Sequence, residues 1–233
     1  MTNKPLLRLL NPNTNNATTA MMAAIANEVA GARGAFLGQT MTSGPAIITN
    51  EPALRAAAVQ IIDAGLAAES QRFNGVLISG FGDPGLAELK DRIAIPVTGI
   101  AEASMAEAGA QGRRFSIVTT TPHLRSAIIS AARRYGHDRN LASVRITAGD
   151  AEAIMSDAEA LPQALLHLCA EAVGQDGAQA IIIGGGPLAA AARAISGELP
   201  VPIIEPVAAG ARLALDRALG RTSLRKVAGS ALD

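Results

Sequence analysis

The side chains best suited to meet a small polar ligand lie in four short stretches, Asn11-Pro12-Asn13-Thr14, Ser79-Gly80-Phe81-Gly82-Asp83, Thr119-Thr120-Thr121-Pro122 and Gly184-Gly185-Gly186-Pro187, each preceded by an apolar run. The carboxamides of Asn11 and Asn13 both donate and accept hydrogen bonds, which suits an amide, imide or carboxylate partner. The same side chains can cap the following helix or bond their own backbone in a turn. Thr119 and Thr120 bring hydroxyls and free N–H groups to a helix start, an anion-friendly environment, and this is compatible with Thr121 as cap and Pro122 in the first turn. His123 follows at once, either as an acid or base beside the ligand or as a solvated first-turn residue. Gly80, Gly185 and Gly186 let backbone amides approach a ligand closely, and Ser79 and Phe81 flank the first of them.

Gly80-Phe81-Gly82-Asp83-Pro84-Gly85 also spells a G-x-G-x-x-G fingerprint. A dinucleotide site expects that fingerprint after the first strand, with an acid closing the next strand. Here the next strand candidate ends Thr98-Gly99, and Pro84 interrupts the amides that would cradle a pyrophosphate. A nicotinamide enzyme is therefore the least favoured reading.

The elements that must position these stretches alternate strand and helix. β-rich runs at 6–10, 35–37, 76–79, 96–98, 115–119, 144–146, 181–183 and 202–204 are separated by Ala-rich helical segments including 18–30, 53–67, 126–135, 161–173 and 207–219. That alternation predicts an α/β fold with parallel sheets covered by helices. Aromatic residues make up only 2% of the chain, so Ile, Leu, Val, Ala and Met must fill the core.

Three junctions recur. Val76-Leu77-Ile78-Ser79-Gly80 aligns with Ile181-Ile182-Ile183-Gly184-Gly185, Pro96-Val97-Thr98-Gly99 with Pro202-Ile203-Ile204-Glu205, and Leu9-Leu10-Asn11-Pro12-Asn13 with Ile117-Val118-Thr119-Thr120-Thr121, at nearly constant offset and in the same order. The repeat predicts two similar lobes related by a pseudo-two-fold axis, with a boundary near 109–113. Residues 1–112 with 210–233 are expected in the first lobe and 113–209 in the second. Strand C-termini facing across the gap would make the ligand cleft.

Composition narrows the function classes. Lys+Arg and Asp+Glu are tied at 20 each, and the basic clusters at Arg113-Arg114, Arg133-Arg134 and Arg225-Lys226 are scattered, so nucleic acid is not an expected partner. The longest weakly polar stretch, 180–192, holds Pro187 and is too short for a helix to cross the roughly 30 Å hydrocarbon layer of a membrane. Lys4 and Arg8 interrupt the only apolar run near the start, so no secretory leader is expected and the cytoplasm is the expected location. His123, His137 and His167 have no ligand spacing with one another or with the single cysteine, so no metal is expected. That cysteine, Cys169, sits on an apolar helical face with Leu165 and Ala172 and is expected in the core. A near-neutral, Ala-rich chain is compatible with a homo-oligomer.

Across nearly its whole length the sequence resembles the hydantoin racemase branch of the aspartate/glutamate racemase superfamily. The resemblance is carried in order by Asn11-Pro12-Asn13-Thr14, Phe81-Gly82-Asp83-Pro84-Gly85-Leu86, Gly99-Ile100-Ala101-Glu102-Ala103, Phe115-Ser116-Ile117-Val118-Thr119-Thr120 and Ala180-Ile181-Ile182-Ile183-Gly184. It implies two Rossmann-like lobes with parallel sheets, an active site between them, no cofactor and a small carbon-acid substrate. The family racemases place a cysteine after the third strand of each lobe, and the two thiols act as acid and base on opposite faces of the substrate. Those positions are Gly80 and Gly185 here. Glycine can neither take nor give a proton, so two-thiol racemisation is disfavoured; the related arylmalonate decarboxylases, which keep one of the two cysteines, resemble this case in part.

The expected function is then a cofactor-independent enzyme acting on a small ureide, cyclic amide or amino/keto carboxylate by hydrolysis, decarboxylation or elimination. Asp83 and Glu205 are the candidate catalytic acid or base. Their structural alternatives are a helix cap for Asp83 and an ion pair with Lys or Arg for Glu205. Asn11, Asn13, Ser79, Gly80, Phe81, Thr119, Thr120, His123, Gly185 and Gly186 are the expected substrate-binding residues. The alternatives are a non-catalytic small-ligand-binding protein on the same fold and a hydantoin or allantoin racemase working without thiols.

Overall fold

The computed structural model describes residues 4–221. The first half runs β1 (Leu6–Asn11), α1 (Asn16–Ala30), β2 (Ala35–Thr40), α2 (Glu51–Ser70), β3 (Gly75–Ile78), α3 (Leu86–Arg92), β4 (Val97–Gly99) and α4 (Ile100–Ala108). The second runs β5 (Phe115–Thr119), α5 (Arg125–Arg134), β6 (Leu141–Ile146), α6 (Ala151–Ser156), α7 (Ala160–Asp176), β7 (Ala180–Ile183), α8 (Ala189–Ala194), β8 (Ile203–Ile204) and α9 (Pro206–Ala218). All eight strand candidates form strands, with ends moved by up to three residues.

The strands make two four-stranded parallel sheets, ordered β2-β1-β3-β4 and β6-β5-β7-β8. Each half thus repeats one strand order, and each central strand is apolar on both faces, as a parallel sheet covered on both sides requires. Leu7, Leu9 and Leu77 of the first sheet share one core with Phe115, Ile117, Ala180 and Ile182 of the second and with buried residues of α1, α4 and α9. The intervening positions face outward: Leu10, Val76 and Ile78 pack with Ile61 and Leu89 of α2 and α3, while Val118, Ile181 and Ile183 pack with Leu165, Cys169 and Leu188. Cys169 is core, as expected.

α9 follows the last strand of the second sheet but packs on α1, α4, β3 and β4 of the first. Arg217 fixes this return, donating from Nη1 to Val97 O at 3.0 Å and Thr98 Oγ1 at 2.9 Å and pairing with Glu102 at 2.9 Å. Among the described residues no helix is long and apolar enough to cross a membrane.

Candidate active site

Parallel strands end together, so the segments after β1, β3, β5 and β7 meet where the two sheets face each other. They line a cavity of about 60 Å³. Its polar wall is Asn13, Ser79, Gly80, Phe81, the three threonines 119–121 and the glycines 184–186. Its apolar wall is Ile47, Ile48, Leu54, Leu124, Ile128, Met155 and Leu188, with Pro12 and Pro187.

Local hydrogen bonding explains each polar position. Asn11 is fully buried and donates from Nδ2 to Asn13 Oδ1 and Thr19 Oγ1, both at 2.8 Å. Asn13 Oδ1 also accepts from Asn15 N at 2.9 Å. Asn11 therefore lies behind the wall and orients Asn13, which forms it. Thr119 Oγ1 donates to Gly184 O at 2.7 Å and stands 3.2 Å from Thr121 Oγ1, so its one proton ties β5 to the loop after β7 and Thr121 is the donor of the second pair. Ser79 and Thr120 donate to thioethers, Met22 Sδ and Met155 Sδ, each at 3.3 Å.

Eight of the twelve expected site residues line the cavity: Asn13, Ser79, Gly80, Phe81, Thr119, Thr120, Gly185 and Gly186. Asn11, His123, Asp83 and Glu205 do not. His123 is exposed in the turn before α5. The two candidate catalytic carboxylates are placed as helix caps. Glu205 accepts from Val207 N at 2.6 Å and Ala208 N at 2.9 Å at the start of α9. It forms no ion pair among the described residues, and burial pushes its carboxyl above the ordinary value.

Asp83 caps from a distance. Its Oδ1 accepts from Ala101 N at 3.0 Å and its Oδ2 from Glu102 N at 2.7 Å, so it caps α4 rather than α3, the next helix in the chain. Oδ2 also accepts from Tyr135 OH at 2.7 Å, joining the end of α5 to the first half. A Cβ on Gly99, the residue before α4, would fall inside the Asp83 carboxylate. The bare backbone at Gly99 is what lets Asp83 occupy the place that Glu205 fills with its own side chain at the equivalent junction. Burial outweighs these hydrogen bonds and pushes the Asp83 carboxyl up to about 6.

The lining residues that sequence reasoning missed are apolar. Ile47 and Ile48 come from the long loop 41–50 between β2 and α2, and an Ile pair within a Ser/Gly/Pro/Thr loop was the available signal. Met155 gives no such signal, since only the tertiary fold carries α6 to the mouth. Among the described residues no Asp, Glu, His, Lys, Arg, Cys or Tyr side chain lines the cavity.

Two glycines bear on whether side chains can stand at the turn positions. A Cβ on Gly80 would collide with the Pro12 ring, and Gly185 holds φ at +151°, where L side chains are strained.

Comparison with known proteins places the chain in a family. The family described as Asp/Glu/Hydantoin racemase matches residues 7–214. The hydantoin racemase of Paenarthrobacter aurescens is 32% identical over 207 residues, 88% of each chain. Among solved structures, allantoin racemase from Klebsiella pneumoniae superposes with a TM-score of 0.86 at 31% identity, covering 93% of this chain and 89% of that one. Allantoin racemase from Pseudomonas fluorescens gives 0.85 at 26% identity, covering 94% of each. The chain belongs to the Asp/Glu/hydantoin racemase family.

Proposed function

We propose that the chain is a cofactor-independent enzyme that holds a small carbon acid between its two lobes and decarboxylates it. The observation carrying this reading is the cavity lining, which has hydroxyls, a carboxamide and backbone N–H groups and, among the described residues, no titratable side chain. Racemisation and elimination begin with removal of a proton from carbon, and hydrolysis needs water activated by a base. Loss of CO2 needs neither, because the carboxylate supplies its own electron pair. The bond between the carboxylate carbon and the α-carbon breaks, and the pair passes through the α-carbon to a neighbouring carbonyl oxygen, giving an enolate. Water then returns a proton to carbon, and the hydroxide left behind combines with CO2 as bicarbonate.

The chain's own groups have two tasks in this scheme. Preorganised donors stabilise the developing enolate oxygen, each contributing on the order of 3 kcal/mol. The apolar wall of Ile47, Ile48, Leu54 and Ile128 removes water from the departing carboxylate, whose charge is lost as CO2 forms. In the family resemblance a thiol stands at each of Gly80 and Gly185; the Pro12 contact and the positive φ support glycine being accommodated at both. The names of the relatives support a small ureide-like or carboxylate compound as substrate, and the same lining supports, as second reading, a binding protein that has lost its chemistry.

Bicarbonate release from 2-substituted malonates, followed by a coupled assay, tests the proposal. Enzyme-dependent release is expected, falling at least tenfold in Ser79→Ala or Thr120→Val. Tight binding with no product from any malonate would reject the decarboxylase in favour of the binding protein.

A further inference from the structure

Charge is balanced over the whole chain, at 20 Lys+Arg against 20 Asp+Glu, but not along it. Residues 113–139 hold six arginines and one acid, Asp138. Arg125, Arg133, Arg134 and Arg139 are exposed and pair with no carboxylate among the described residues, whereas seven arginines elsewhere do. Arg125 and Arg133 stand over a surface groove between α5 and β6, with Ile129, Asp138 and residues 141–144 as its other walls. β6 is the outermost strand of its sheet, so one edge of it has no neighbouring strand. Thr119 lies opposite Ile146, and Thr147 N donates to Thr119 O at 3.0 Å. By the alternation of a parallel ladder Arg145 and Thr147 turn their backbone groups to β5, and Val144 and Ile146 turn theirs to the open edge. The groove therefore combines unpaired positive charge with backbone groups that lack a strand partner.

We infer that this groove is a docking surface for an extended acidic segment of another protein, which adds to the sheet as a strand beside β6. Spacing sets the sequence class of the segment. Arg125, Ile129 and Arg133 fall at i, i+4 and i+8 of α5, one inclined stripe with steps of about 6 Å along the axis. Alternate residues of a strand share one face at steps of about 6.6 Å. An acid-x-apolar-x-acid segment thus meets the arginine, the isoleucine and the second arginine in turn. Its carboxylates form charge-assisted, two-pronged pairs with the guanidinium groups, and its backbone supplies partners for Val144 N–H and C=O. The opposite face of the segment lies on the α7 side, where Glu171 and Asp176 hold Arg145, so its x positions are uncharged. A nucleic acid brings phosphates but no ladder of N–H and C=O groups to complete a strand edge. Leu124 and Ile128 of the same helix line the cleft, so the groove uses a different face of α5 and the inference stands apart from the decarboxylase reading.

Fluorescence anisotropy of a labelled Thr-Glu-Thr-Val-Thr-Glu-Thr peptide with the full chain tests the inference. Saturable binding is expected, at least tenfold tighter than that of the peptide with Lys in place of Glu. Two backbone-methylated forms of the peptide read the strand geometry, one methylated at the Glu and Val amides and one at the Thr amides. Because only alternate N–H groups of an added strand face β6, one form should lose at least tenfold in affinity and the other should not. The double variant Arg125→Glu, Arg133→Glu should weaken the acidic peptide at least tenfold and bind the Lys peptide in its place. Arg125→Gln with Arg133→Gln serves where charge reversal impairs folding, and melting temperatures equal to the wild type confirm that either variant is folded. Absence of saturable binding to the wild type overturns the inference, as does undiminished binding by a folded variant. Loss of affinity in both methylated forms, or in neither, overturns strand addition. Tighter binding of an oligothymidylate than of the acidic peptide would make the groove a nucleic-acid surface and overturn it too.

Discussion

Replacing Gly99 with alanine should destabilise the fold by about 3–5 kcal/mol, far more than a methyl group at an extended position ordinarily does. The backbone at Gly99 has φ −103° and ψ 149°, which any residue adopts, so the effect cannot come from backbone strain. It comes from eviction. The new Cβ occupies the place of the Asp83 carboxylate. Once displaced, that carboxylate leaves Ala101 N and Glu102 N as unpaired donors in the first turn of α4 and the Tyr135 hydroxyl without its acceptor. Denaturant midpoints measure the loss. A compensating pair should recover most of it: Asp83→Gly with Gly99→Glu gives α4 the kind of cap that Glu205 gives α9. The Asp83→Gly change also removes a non-glycine residue from φ +50°. A neutral Gly99→Ala would show that Asp83 is not the cap of α4.

Stability should also carry a pH signature from Asp83. In the unfolded chain an aspartate titrates near 3.9; in the folded chain burial pushes this one up to about 6. Between those values the native state keeps a proton that the unfolded state has released, so the unfolded state binds fewer protons and stability falls as pH rises. The contribution is complete below pH 4 and lost as pH rises through about 6, on the order of 3 kcal/mol. Glu205, pushed up by burial, acts in the same direction. Glu102 acts in the opposite one: burial raises its carboxyl, but Arg217 and Lys90 outweigh burial and hold it below its ordinary value. Asp83→Asn isolates the Asp83 part, because the stability difference between wild type and variant should shrink by about that amount from pH 4 to pH 7. A difference constant across urea titrations at pH 4, 5, 6 and 7 would contradict the assignment.

Strand positions were legible because a parallel strand covered on both faces must be a continuous apolar run, and Leu6-Leu7-Arg8-Leu9-Leu10 and Ala180-Ile181-Ile182-Ile183 have no rival reading beside their polar turns. The same turns gave the polar wall, since parallel strands deliver their C-terminal ends to one edge. Asp83 was legible as a helix cap but not as to which helix it serves, and Glu205, read as the partner of a Lys or Arg, caps α9 instead. Asp83 caps a helix beginning 17 residues later, and nothing local in Asp83-Pro84-Gly85-Leu86 announces that; the absent side chain at Gly99 decides it. The apolar wall was the least legible part, because Met155 and Leu54 become wall residues only when α6 and α2 pack. Asn11 shows the same limit in reverse. Its type marked it for the site, and its burial makes it a positioning residue one layer behind.

Proton exchange at carbon tests most directly whether the cleft lacks a base. With hydantoin, allantoin, aspartate and glutamate in heavy water, followed by proton NMR, the α-hydrogen signal should decay at the buffer rate with or without the protein. Protein-dependent loss of that signal, abolished by Ser79→Ala or Thr120→Val, would mean that the cavity abstracts protons without a thiol and would contradict the account.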